Sequence, residues 1–248
     1  MTEVVIMAKE KYSYGYAQEK YKPLKQKEEQ YNLKLEKGNY YIIRFDGKDM
    51  TAAFKIDHQA INKPFFDTME ETFNEFCKST QNVIFGYSFS DEISILIRGG
   101  CNSNSQNNRI EKLLSLSSGK LSLIFYRNAQ KNNLDLQNKD WVFDGRIIHL
   151  DKNEVIDYFL ARQAYAIDKY LMQLKAENHI DYKLHTSEAV ILALKLIGVH
   201  YENLPQKYRY GLIYSPTKNL SPFEFDTNRS MLQQLCFGKI HSIKRKRS

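Results

Sequence analysis

The stretch YYIIRFDG (residues 40–47) decides the fold. From Tyr40 to Phe45 it is aromatic and β-branched, broken only by Arg44 and closed by Asp46-Gly47, so it reads as a buried strand followed by a turn. A charge inside such a strand needs a partner, and Arg44 is therefore marked from the outset. Downstream, Asn62 and Pro64 open a helix, because proline suits a first turn. Phe65, Met69, Phe73 and Phe76 then recur every three to four residues and give it one apolar face. Two more strands, VIFGY (83–87) and ISILI (93–97), are joined by SFSDE (88–92) as a hairpin. Glu111–Phe125 is a candidate helix, weakened by Ser117-Ser118-Gly119, and Arg146–Leu150 is a fourth strand after FDG (143–145). Asp151 and Glu154 have the spacing of a capping box. They open a long helix lined on one face by Val155, Phe159, Ile167, Leu171 and Leu174.

Outside this block, residues 8–37 read as a polar helix or extended arm, and CNSNSQNNR (101–109) as a polar loop. Glu188–Ile197 is a helix ended by Gly198, and residues 239–248 form a basic flexible tail. The order strand, helix, strand, strand, helix, strand is that of a ferredoxin-like unit, so the expected class is α/β (α+β). With no internal repeat, residues 1–248 are expected to form a single domain with a helical C-terminal region.

Composition sets wide limits. Over 248 residues, 42% are hydrophobic and 26% charged, and Gly (11) and Pro (5) are sparse, which suits an α/β core better than a repeat or disordered protein. A formal charge of +7 is compatible with nucleic acid or a polyphosphate ligand but does not demand one. The three cysteines, Cys77, Cys101 and Cys236, are widely spaced and suggest neither a disulfide framework nor a zinc site. The first residues lack a signal-peptide pattern, and the longest apolar stretch, Ala189 to Ile197, is interrupted by Lys195 and too short to span a bilayer. A soluble, cytoplasmic protein with no membrane partner is expected.

The chemistry gathers on carboxylates. Asp46 ends the first strand, and Asp91 and Glu92 stand in the hairpin. The first and third strands of a ferredoxin-like sheet are central neighbours, so these groups can converge at one edge. Two or three carboxylates that leave room for phosphate oxygens are what a Mg²⁺ site uses. Two such ions can activate an attacking hydroxyl and stabilise departing pyrophosphate. Asp-Gly and Ser-Asp are also ordinary turn residues, and the residues alone leave both readings open. His149, His185 and His200 have no paired-carboxylate pattern and read as structural.

A resemblance sharpens this picture. RFDGKDMTAAF (44–54), KPFFDTM (63–69), SFSDEIS (88–94), FDGR (143–146), DYFLARQA (157–164) and HYENLPQKYRYG (200–211) resemble, in order and spacing, segments of the tRNA-His guanylyltransferase family of 3′-to-5′ RNA polymerases. The resemblance implies a polymerase-type palm with appended helices. It also implies a nucleotidyltransferase that adds nucleotides to the 5′ end of tRNA or another structured RNA. Asp46, the Gly47 carbonyl and Asp91 would then hold two Mg²⁺ ions, with Glu92 supporting the site. Lys63 and Ser90 would contact a nucleoside triphosphate such as GTP or ATP. The carboxylates of the metal site or nucleotide phosphates are the candidate partners of Arg44, and Arg146 reads as a phosphate contact or a loop arginine. Arg109 and Lys112 fall where the family has a basic cluster for a second triphosphate, and a dimer or tetramer is implied.

The departures are as informative as the matches. After Arg162-Gln163-Ala164 the family carries His-Ile-Asn-Asn, whereas this chain has Tyr165-Ala166-Ile167-Asp168-Lys169. Ser187-Glu188-Ala189 replaces a Lys-Asn-Glu segment, and Phe66 stands where an aspartate is common, with Asp67 next. The two-metal core carries over, while elements tied to tRNA engagement and 5′-end activation do not. The expected role is templated repair of 5′-truncated RNA. A palm-type nucleotide cyclase and a catalytically inactive RNA-binding protein are the rival readings, and the joint presence of Asp46, Asp91 and Glu92 argues against the second.

Overall fold

Tyr40–Gly47 forms strand β1, and its neighbours set the architecture. The structure, a computed structural model, describes residues 14–50, 63–100, 109–136, 140–181, 183–216 and 229–238. Strand β1 lies between β3 (Glu92–Arg98) and β4 (Phe143–Leu150), antiparallel to both. β2 (Val83–Phe89) pairs with β3, and the short β5 (Leu212–Tyr214) adds to β2, giving the order β4-β1-β3-β2-β5. The first four strands have the ferredoxin-like arrangement, and the class is α+β as expected.

Helices α2 (Lys63–Ser79) and α3 (Ile110–Lys131) cover one sheet face. Phe45 meets Phe76 of α2 with ring centroids 5.3 Å apart, and Phe143 meets Phe125 of α3 at 5.7 Å. The periodic Phe65, Met69, Phe73 and Phe76 of α2 are all buried, each side chain contributing about 1.5–3 kcal/mol. Helix α4 (Lys152–Glu177) covers the opposite face, where Phe159 meets Phe85 at 4.8 Å. Its start carries both halves of the expected capping box, with Asp151 accepting from the backbone of Asn153 and Glu154, and Glu154 reaching back to the Asp151 amide. Helices α5 (Ser187–Leu196), α6 (Gln206–Tyr210) and α7 (Arg229–Phe237) pack against α4. In the N-terminal arm, α1 spans Tyr14–Glu29.

Three readings need correction. The Ser117-Ser118-Gly119 segment does not weaken α3, which runs through it to Lys131. The serines serve packing instead, while Gly119 faces open space: Ser117 is buried, Ser122 accepts a hydrogen bond from the Phe143 amide at 3.1 Å, and a Cβ on Gly145 of β4 would sit 2.8 Å from Ser118 Oγ. β4 begins at Phe143 rather than Arg146, since FDG pairs in register with β1 instead of preceding the strand. The C-terminal region also contains α6, β5 and α7 beyond the expected helix. Residues 101–108 of the expected polar loop and the tail 239–248 lie outside the described residues. Among those described, no helix is long and apolar enough to cross a membrane.

The strand alternation positions the site. Ile43 and Phe45 turn toward α2 and α3, so Ile42, Arg44 and Asp46 face α4. Register then orders that face in rows: Ile148, Ile42 and Leu96; Arg146, Arg44 and Ser94; and at the edge Asp144, Asp46 and Glu92. Apolar packing thus gives way to charge within three residue pairs.

Candidate active site

β2 ends at Phe89 and β3 starts at Glu92, so Ser90 and Asp91 alone make the turn. Such a tight turn needs a left-handed residue, and Ser90 takes that role at φ 58°. The geometry draws Asp91 inward until only 5% of it is exposed. Its Oδ1 accepts from Ser90 Oγ at 2.8 Å, and its backbone carbonyl accepts from the Gly47 amide at 3.0 Å. The last bond ties the end of β1 to the hairpin. A side chain at residue 47 would defeat the arrangement, because its Cβ would lie 2.3 Å from Met50 Sδ and 3.0 Å from Asp91 Cβ.

Glu92 is directly across from Asp46 in the β1–β3 register. Its carboxylate takes a two-pronged ion pair from Arg162 of α4, with Nε 2.8 Å from Oε1 and a terminal nitrogen on Oε2. Arg44 approaches the same carboxylate with Nε at 3.9 Å, and that buried Nε makes no hydrogen bond. Burial pushes both acidic groups above the usual carboxylate range. For Glu92 the Arg162 and Arg44 guanidiniums pull back, while Asp46 pushes further up. For Asp91 the Ser90 hydroxyl and the Lys169 ammonium pull back.

These groups border a cavity of about 380 Å³. Arg44, Asp46, Ser90, Asp91 and Glu92 line it from the sheet, and Arg162, Tyr165, Ala166 and Lys169 line it from α4. The α4 residues are spaced i, i+3, i+4 and i+7, one helix stripe. Three carboxylates therefore face three cations, an arrangement suited to a polyanion that arrives with divalent cations. The donor set fits a hard cation, since Asp46, Asp91 and the Gly47 carbonyl offer only oxygen, and the missing Cβ at Gly47 leaves its backbone pressed against Asp91. Among the described residues no group of three or more His, Cys, Asp or Glu could hold a metal by itself. A site completed by phosphate and water oxygens has no such requirement.

The other sequence candidates fall elsewhere. Lys63 is 74% exposed, ion-paired to Asp67, and stands outside the cavity lining. Arg146 lies across from Arg44 in register, but its half-exposed guanidinium pairs with Asp144 at 3.4 Å. Arg109 precedes α3 with its Nε buried and without a hydrogen bond, and Lys112 is exposed one turn on. His149 stacks on Tyr41 at 5.0 Å. His200 does have a carboxylate neighbour, Glu202 at 3.3 Å, contrary to the sequence reading; the pair is exposed and outside the cavity. Conversely, the sequence assigns no site role to Arg162, Tyr165 or Lys169, although Arg162 stands in DYFLARQA (157–164). Their spacing along one helix was the available signal.

A ferredoxin-like sheet with two aspartates at one edge, under a helix that contributes cations, defines a palm-type architecture. The sequence profile described as tRNAHis guanylyltransferase matches residues 21–151, more than half of the chain, and the chain belongs to that family of nucleotidyltransferases. The chain is 23% identical over 223 residues to Uncharacterized protein R259 of Acanthamoeba polyphaga mimivirus, covering 77% of this chain and 74% of that protein. Its fold is shared with a bacterial tRNA(His) guanylyltransferase-like protein in complex with ATP, at TM-score 0.76 and 22% identity over 87% of this chain and 98% of that one. The tRNA(His) guanylyltransferase from Saccharomyces cerevisiae is more distant, at TM-score 0.63 and 16% identity, covering 77% of this chain and 93% of that one.

Proposed function

We propose that this protein is a Mg²⁺-dependent nucleotidyltransferase that adds nucleotides to the 5′ end of tRNA or tRNA-like RNA in the 3′-to-5′ direction, repairing 5′-truncated ends against the opposite strand. The observation that carries this reading is the convergence of Asp46, Gly47 and Asp91 at one sheet edge, beside a cavity that also holds Arg44 and Arg162. Family membership supports the reaction class.

Asp46, the Gly47 carbonyl and Asp91 would hold two Mg²⁺ ions, which when bound promote ionisation of the attacking hydroxyl and neutralise the leaving pyrophosphate. The 3′-hydroxyl oxygen of the incoming nucleotide attacks the α-phosphorus of a 5′-triphosphate end of the RNA. The new O–P bond replaces the bond to pyrophosphate, which departs with its oxygen, and the hydroxyl proton passes to solvent. Glu92 acts through cations: its ion pairs aim the Arg162 and Arg44 guanidiniums at the space where phosphate charge accumulates. Ser90 contacts the triphosphate from the hairpin. Lys63, Arg109, Lys112 and Arg146 lie farther out and would engage phosphates of the RNA or of a second triphosphate. The working form is a homodimer or homotetramer.

The test is incubation of 5′-triphosphorylated, 5′-truncated tRNAs with each NTP and Mg²⁺, comparing the native chain with Asp46→Ala and Asp91→Ala. Addition of the nucleotide complementary to the opposite base, absent in both variants and without Mg²⁺, is expected. A native chain that adds no nucleotide to any RNA, or that makes a cyclic product from NTP alone, overturns the proposal.

A further inference from the structure

Helix α4 presents to the cavity a surface that the metal chemistry does not require. Tyr165 is 54% exposed on this lining, a large exposure for an aromatic ring inside a charged site. The Arg162 guanidinium lies 4.8 Å from the ring centroid, and that guanidinium is itself pinned by the two-pronged pair to Glu92. The ring is thus braced through Arg162 to the sheet. One turn further on, about 6 Å along the axis, Lys169 reaches the same cavity and acts electrostatically on Asp91. Asp168, the intervening acid, is turned away and accepts from Ser187 of α5 at 2.7 Å. Ala166, between ring and ammonium, adds no bulk to the lining.

A flat aromatic ring, an ammonium one turn away and carboxylates beyond match the order of base, phosphates and metals in a nucleoside triphosphate. We propose that the Tyr165–Lys169 stripe is a nucleotide subsite: the Tyr165 ring stacks on the nucleobase, and Lys169 receives the phosphates as they run toward Asp91. This assignment rests on the reading that the cavity takes nucleoside triphosphates. Stacking on a tyrosine face engages every base, because each has a π-surface and none of its hydrogen-bonding edge is used. The subsite therefore holds any NTP and leaves base choice to pairing. Arginine behind the ring keeps it in place and desolvated on one side.

Magnesium complexes of ATP, GTP, CTP and UTP, and of inorganic tripolyphosphate, titrated calorimetrically into the full chain test this. Tyr165→Ala is expected to weaken all four NTPs by about tenfold, the loss of one stacked base, and to leave tripolyphosphate affinity unchanged. Tyr165→Phe keeps native affinities, and Lys169→Ala weakens NTPs and tripolyphosphate alike. The subsite is overturned if Tyr165→Ala binds NTPs as the native chain does, if it loses tripolyphosphate equally (a ring that only props Arg162), or if the native chain binds no NTP. Binding and RNA extension separate the two proposals. Tyr165-dependent NTP binding without any extension removes the transfer reaction and keeps the subsite. Extension with unaltered NTP binding in Tyr165→Ala does the reverse.

Discussion

Glu92 and Asp91 are neighbours in the chain, and what surrounds each carboxylate sets them apart. Glu92 is occupied by Arg162 and approached by Arg44, so it has little capacity left for a metal. Asp91 has one oxygen engaged by Ser90 and no ion pair among the described contacts. The first prediction follows from this contrast. Asp46→Ala and Asp91→Ala should each lower turnover by roughly 10²–10³-fold or more while circular dichroism stays native. Turnover near the native rate in either variant would remove that residue from the metal site. The second concerns stability. Glu92 and Arg162 side chains are only 15% and 22% exposed, so removing one leaves the other's charge poorly solvated. Glu92→Ala and Arg162→Ala are each expected to cost about 1–3 kcal/mol in urea unfolding. The double variant should lose less than the sum of the two, and strict additivity would show that the pair is not coupled in solution.

At the scale of elements, the regular periodicities were legible and the exceptions were not. β1, α2, the β2–β3 hairpin and α4 follow from alternation, three-to-four spacing and a capping box, since each buries one face or ends on a definite hydrogen-bonding pattern. α3 looked interrupted because serine and glycine are weak helix formers. Ser118 and Ser122 pack closely on β4 at Gly145 and Phe143, and that tertiary packing outweighs propensity. α6 and β5, of five and three residues, are too short to carry a period and are held by their neighbours. The third prediction belongs here. Asp151→Ala removes the acceptor that the Asn153 and Glu154 amides share at the start of α4, and should cost about 1 kcal/mol. A thermal melt checks it. No loss of stability would mean that the α4 N-terminus is satisfied by other means.

For the whole molecule, the carboxylate edge was readable because the four-strand order places the end of β1 beside the β2–β3 turn. The α4 side of the cavity was not, because Arg162 is 70 residues from Glu92 and only the packing of helix on sheet brings them together. Under the proposed function, that same helix is expected to decide substrate choice. Where the resembling family offers an imidazole and two amides, α4 turns Tyr165 and Lys169 to the cavity and ties Asp168 to Ser187. Contacts made through His-Ile-Asn-Asn cannot be reproduced by a ring without nitrogen, a methyl, an aliphatic chain and two charges. Selection by a paired template asks less of the protein: a held triphosphate, a positioned strand and the metal core. The protein is therefore expected to extend 5′-truncated tRNAs with whichever nucleotide pairs opposite the gap, and not to serve as a dedicated guanylate-adding enzyme for histidine tRNA. The deciding comparison sets full-length histidine tRNA against several truncated tRNAs, each with the four NTPs supplied separately. Addition that tracks the opposing base across different truncated RNAs is the expected result. Addition of one unpaired G to histidine tRNA, with no extension of truncated RNAs, would assign the α4 face to recognition of that tRNA instead.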